Sequence, residues 1–330
     1  MMLALLFAAS LMAQPPFPAM DPAAPPPAHY RLYDANGKSA SLQDVFEAMS
    51  SAGVVFIGET HDDPVAHTLE AELLRGAFDR YANVTDKAKA RPLALSLEMF
   101  ERDVQIILDE YLAGLITERQ FLASSRPWNN YQTDYRPLVE FAREHKLPVL
   151  AANASERYVN RAARLGRSSL DELSPTAKNW LAPLPYGGPS PAYAAKFNQL
   201  MSGMTGRAHP SPEQPPTDTP GTDAAIVHRH AGHSAAYLLD AQTLRDATMA
   251  YTIAEYLRRQ PGALVLHVNG DFHSEERMGV PEQLLRYRPQ TPMIVITIVP
   301  GAGSLNFDAT RMKNLGDFVV VTDSAQPRSF

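Results

Sequence analysis

Short, wholly apolar runs alternate along this chain with longer stretches in which apolar residues recur every three or four positions. That alternation predicts a parallel sheet with helices on its faces. Gly53 to Ile57 (GVVFI) reads as a buried strand. The Asp63-Pro64 pair then supplies an N-cap and a first-turn proline for a helix with Val65, Leu69 and Leu73 on one face. Leu93 to Leu97 predicts a second strand with a helix from about Arg102 to Leu112 after it, and Leu147 to Ala152 a third with a helix beginning near Ser155. A long helical pattern from about Ala235 to Arg259 leads to a fourth strand at Leu264 to Val268, and Met293 to Val299 and Phe318 to Val321 add two more. The expected fold class is therefore α/β, with a central, mostly parallel sheet flanked by helices.

Proline punctuates this pattern. Of 28 prolines, seven lie between Pro15 and Pro27 and nine between Pro183 and Pro220, which marks both stretches as linker or loop. Residues 1–13 carry an apolar core of signal-peptide length, so export to the periplasm or the outside is expected, and the absence of a following cysteine predicts no lipid anchor. The expected organisation is a signal peptide over 1–13, a Pro-rich linker over 14–28, and one α/β domain over 29–323. A flexible Pro-rich insert over about 183–225 would interrupt that domain. Past the N-terminus no apolar run approaches the roughly 18 to 20 residues of a membrane span.

Composition narrows the chemistry. A chain of 330 residues with 45% hydrophobic and 20% charged residues can bury a core, which argues against global disorder. A net charge of -6 gives no basic surface for nucleic acid. With no cysteine, disulfides, thiolate metal sites and iron–sulfur clusters are ruled out, so any metal must be held by His, Asp, Glu or Tyr.

Polar residues gather where the strands end. Glu59 and His61 follow the first strand, Glu98 ends the second, Asn153 ends the third, and Asp271 and His273 follow the fourth. In an open parallel sheet these positions meet at the carboxyl edge, where ligands bind. Two of the strand ends share the pattern Gly, acid, any residue, His: GETH at 58–61 and GDFH at 270–273. An acid and an imidazole two apart in extended chain point to one side. Such pairs can ligate a metal or act as an oriented base. His61, Glu98 and His273 are accordingly the candidate metal ligands. With Glu59 accepting a proton from metal-activated water, the four become candidate catalytic residues of a metal-dependent hydrolase, a peptidase or esterase.

Other residues carry weaker patterns. His67 can support the crevice or cap the surface. His228, His230 and His233 form a cluster at the end of the insert. Trp128, Tyr131, Tyr135 and Arg136 precede a helix, and there a phenolate could ligate haem iron while a guanidinium pairs with a propionate. Tyr186 and Tyr193 are rival ligands.

The segments GETHDDPVAH (58–67), LSLEMFERDVQ (95–105), YRPLVEFA (135–142), PVLAAN (148–153), LRDATMA (244–250) and NGDFHSEERMGVPEQL (269–284) together resemble the ChaN-like haem-binding uptake proteins of the Tiki superfamily. The resemblance implies an α/β fold with a smaller helical subdomain, and haem binding through tyrosine at a homodimer interface, in the service of haem and iron uptake. On that reading Tyr135, Arg136, His67 and Asn153 are the expected cofactor-binding residues, with Tyr135 the expected iron ligand.

Overall fold

The computed structural model describes residues 29–205 and 237–329. The expected signal segment, the linker, the 206–225 part of the insert, and His209, His228, His230 and His233 lie outside the described residues. Seven strands form one sheet in the order β1-β7-β6-β2-β5-β3-β4, where β1 is Tyr30–Asp34, β2 Val54–Glu59, β3 Leu93–Glu101, β4 Val149–Asn153, β5 Leu264–Gly270, β6 Met293–Pro300 and β7 Phe318–Thr322. Every pairing is parallel except β1 with β7. The apolar runs become strands because both faces are covered, so alternate residues of one run serve two cores. Val55 and Ile57 enter the larger core, and Val54 and Phe56 enter the one behind it.

Helices α1 (Leu42–Met49), α2 (Pro64–Ala77), α3 (Gln105–Leu112), α4 (Glu118–Ser125) and α5 (Arg136–Glu144) build the first face. Asp63 caps α2 as its sequence foretells, accepting from the N–H groups of Val65 and Ala66 at 3.0 and 3.4 Å. Beyond the sheet α6 (Glu156–Leu165), α7 (Pro191–Thr205) and the first half of α8 (Leu238–Arg259) form a smaller helical layer with its own core. The second half of α8 and α9 (Val280–Tyr287) cover the other face of the sheet. No helix among the described residues is long and apolar enough to cross a membrane.

Two expectations change here. Residues 183–205, expected in a flexible loop, are packed: Pro191 opens α7, and Tyr186, Tyr193 and Phe197 are buried in the helical core. Proline breaks a helix interior but suits its first turn, so proline density alone does not make a loop. The strand β1 was not foreseen; it is five residues long and only pairs on one side.

The sheet ends in β1 and β4. At β4 the Gln105 side chain takes the place of a neighbouring strand: its Nε2 donates to the Val149 carbonyl at 2.9 Å and its Oε1 accepts from the Ala151 N–H at 2.7 Å.

Candidate functional site

The strands β2, β5 and β3 are neighbours, so the polar residues at their carboxyl ends meet at one edge. Register places Glu59 beside Gly270 and Leu97 beside Val268, which brings Glu98 level with the start of the 270–273 turn. Two clusters of acids and imidazoles result, joined across Gly270. A Cβ added there would stand 2.8 Å from His61 Nε2 and 3.8 Å from Glu98 Oε2, so glycine is what lets the two approach.

The first cluster centres on Glu59, buried at the end of β2. Its Oε1 receives the Tyr135 hydroxyl and lies 3.0 Å from His61 Nδ1, while its Oε2 lies 3.0 Å from His67 Nδ1. One helical turn beyond His67, Glu70 brings Oε2 to 3.1 Å from the same nitrogen. His67 Nε2 lies 3.0 Å from the His61 carbonyl, and Asn130 donates both to that carbonyl, at 2.9 Å, and to Asp134, at 2.7 Å. Burial would raise the Glu59 carboxyl, but the charges of His67 and His61 outweigh it and hold the group well below the usual range. Burial opposes charge on His67 too, and the flanking Glu59 and Glu70 raise it well above an ordinary histidine. Glu70 is pushed up to about 8, first by burial and then by Glu59. Burial, then the nearby Glu59 and Glu70 charges, also put the Tyr135 phenol well above its normal value.

The second cluster centres on His273. Its Nε2 lies 3.3 Å from Glu98 Oε1 and its Nδ1 2.6 Å from Asp246 Oδ1, while Gln242 Nε2 stands 3.3 Å from the ring. Glu98 Oε2 accepts the Gly270 N–H at 2.8 Å. Burial opposes ionisation of Glu98, yet His273 and the Gly270 N–H draw it down to about 2. Burial likewise opposes charge on His273, yet Glu98 and Asp246 lift it to about 10. Behind them His267, with Nδ1 2.9 Å from Ser96 Oγ, is pulled by burial to about 3 and stays a neutral core histidine.

These shifts fix a pH dependence. The lowered carboxyl stabilises the fold above its ordinary value of 4.5 and loses that contribution as pH falls through about 2. The raised imidazole stabilises fully below 6.5 and loses its contribution as pH rises through about 10. The melting temperature of Glu98→Gln should therefore fall furthest below that of the unmodified protein between pH 4.5 and 6.5. The gap should close in acid; a constant gap down the acid limb would refute the pairing.

Of the candidate metal ligands, Glu98 and His273 meet, while His61 pairs with Glu59 in the other cluster. The acid and imidazole of the second motif do not pair with each other, because residues 271–273 form a 3-10 turn in place of extended chain. Instead Asp271 Oδ1 caps the Phe272 N–H at 2.7 Å. Tyr135, His67 and Asn153 are buried at 1%, 4% and 4% exposure, and Arg136 is tied to Glu118 at 2.6 Å, away from the clusters. The rivals Tyr186 and Tyr193 are buried as well. His61 is the more open imidazole, with its side chain 12% exposed and its ring edge-on to Trp128 at 4.5 Å. Sequence reasoning missed Glu70, Asn130, Asp134, Gln242 and Asp246. Glu70 had a signal, its i+3 spacing from His67 on a capped helix.

Comparison with known proteins adds the lineage. A family profile described as haem-binding uptake, Tiki superfamily, ChaN matches residues 45–284. In fold the chain is similar to ChaN of Campylobacter jejuni, a protein that binds haem cofacially, with a TM-score of 0.56 at 14% identity over 89% of this chain and 97% of that one. It is more distantly similar to the type III effector HopBA1, with a TM-score of 0.42 at 11% identity over 84% of this chain and 91% of that one. A succinoglycan biosynthesis protein gives a TM-score of 0.39 at 13% identity over 78% of this chain and 69% of that one. No curated protein matches the sequence. The comparisons do not favour the hydrolase alternative. Because the profile spans most of the chain, the chain belongs to the haem-binding uptake family of the Tiki superfamily, ChaN.

Proposed function

We propose that this chain binds haem and serves haem or iron uptake. The family match over residues 45–284 carries the proposal. The reading includes export, supported by the apolar core of residues 1–13, and a haem-linked homodimer, supported by the family resemblance.

The donor set fits a porphyrin iron in kind, since imidazoles and a phenol gather at one edge. When bound, haem supplies an iron centre that takes an axial nitrogen or oxygen donor. Tyr135 is the ligand the resemblance implies, but its phenol is buried, donates to Glu59 and is held strongly protonated. Ligation through it would require that hydrogen bond to open and the proton to leave. His61 is more accessible, and its contact with Glu59 places the proton on Nδ1. The adjoining Trp128 offers an aromatic face beside it. The burial pattern therefore favours His61 over Tyr135 as the iron ligand.

Haemin titration followed by absorbance tests both levels. The unmodified protein should show a saturable Soret shift at about one equivalent per chain. His61→Ala should weaken binding about tenfold, roughly 1.4 kcal/mol, with Tyr135→Phe close to the unmodified protein. The reverse order would assign the phenolate, and no saturable shift would sink the haem proposal.

A further inference from the structure

We infer that Glu59, His67 and Glu70 form a binding site for one divalent first-row metal cation, separate from both haem and the His61, Glu98 and His273 set. The argument starts with the imidazole. His67 Nε2 lies 3.0 Å from the His61 carbonyl, an oxygen that can only accept, so Nε2 carries the hydrogen. Nδ1 then faces two carboxylate oxygens, Glu59 Oε2 at 3.0 Å and Glu70 Oε2 at 3.1 Å. A single ring nitrogen cannot satisfy both. Beyond its 3.0 Å approach to that nitrogen Glu59 Oε2 has no hydrogen-bond partner, and Glu70 Oε1 has none, although both are sealed from water.

A cation answers all of these demands at once. The three side chains each offer a donor atom, and these atoms lie within 4.8 Å of one another. With metal–ligand bonds of about 2.1 Å, nitrogen–oxygen separations near 3 Å subtend roughly a right angle at the ion. Two carboxylates and a neutral imidazole balance a charge of 2+, and an N,O,O set without thiolate suits manganese, iron or zinc better than softer ions. The outer contacts are in place too. Tyr135 and His61 occupy Glu59 Oε1 and leave Oε2 turned to the site, while the His61 carbonyl and Asp134 hold the far side of His67. A cavity of about 420 Å³, lined by Pro64, His67, Thr68, Asp134, Pro327 and Ser329, reaches the His67 ring from the surface.

Metal-stripped protein, haem-free, would be dialysed against Mn²⁺ or Zn²⁺ alone and the retained metal counted by mass spectrometry. One equivalent per chain is expected. Glu70→Gln, which keeps the size of the side chain, should weaken binding at least tenfold, while Glu98→Gln should not. X-ray absorption at the zinc edge of the unmodified protein decides the matter even where the variant fails to fold. One imidazole with oxygen ligands supports the site; two imidazoles would place the ion on His61 and His273 and overturn it. No retained metal, or several weakly held equivalents, would also overturn it.

Discussion

Replacing His67 with alanine should destabilise the fold by about 3–5 kcal/mol, because it removes one partner of a buried ionic cluster and leaves charge behind. Glu59 and Glu70 are 1% and 0% exposed, and their carboxylates approach the same nitrogen at 3.0 and 3.1 Å. Without the imidazole they face each other with no cation between them. Burial and Glu59 push Glu70 up to about 8 even with His67 present, and removing that imidazole raises it further, so Glu70 takes up a proton and this limits the damage toward lower pH. The loss should accordingly be larger in mildly alkaline buffer than in mildly acidic buffer. The double variant His67→Ala/Glu70→Gln should recover part of the stability, since it removes the second charge. Urea denaturation of the three proteins in metal-free buffer measures this. A single-variant loss under about 1 kcal/mol, the scale of one ordinary hydrogen bond, would show that the imidazole does not neutralise the pair.

The second large effect is expected at Gly279, six residues beyond the GDFH motif. Its backbone has φ 62° and ψ -116°, a region that side-chain-bearing residues avoid. A Cβ there would stand 2.5 Å from the His273 carbonyl oxygen and 3.2 Å from Asp246 Oδ1. The nearer neighbour is backbone, so no rotamer change relieves the clash. Strain and overpacking together predict a loss of about 3–5 kcal/mol for Gly279→Ala. The displaced groups are His273 and Asp246, whose contact at 2.6 Å anchors the second cluster. Gly262 provides the comparison: its φ is also positive, at 81°, but a Cβ would meet nothing within 4 Å. Gly262→Ala should cost only the conformational part, about 1–2 kcal/mol. Equal losses in the two variants would mean that the approach to His273 adds nothing.

What the sequence disclosed, and what it hid, follows from how each feature is encoded. Strands buried on both faces are written as continuous apolar runs, so GVVFI and its counterparts were readable, and Glu59, Glu98 and His273 were readable as polar residues at their ends. Parallel order then brought them to one edge without further information. Partners were another matter. Asp246 lies inside a long helix, 27 positions from the imidazole it holds, and nothing local marks it. The pairing of His273 with Glu98 and Asp246, where the motif implied Asp271, depends on a tight turn that the letters GDFH do not reveal. Tyr135 was legible as an aromatic near the crevice, but its burial beneath Trp128 and His67 is a property of packing alone.

The Gln105 amide that completes β4 bears on how this chain behaves in company. An open edge strand presents unpaired N–H and C=O groups to any other extended chain, and β4, reading VLAAN, carries no charge to repel one. At the opposite margin, β1 carries Arg31 and Asp34, charged residues that deter such pairing by themselves. Lacking charges, β4 has one carbonyl and one N–H taken up from within the same chain, by one side chain that imitates a strand. The amide thereby occupies two of the backbone groups through which a second extended chain could add to β4.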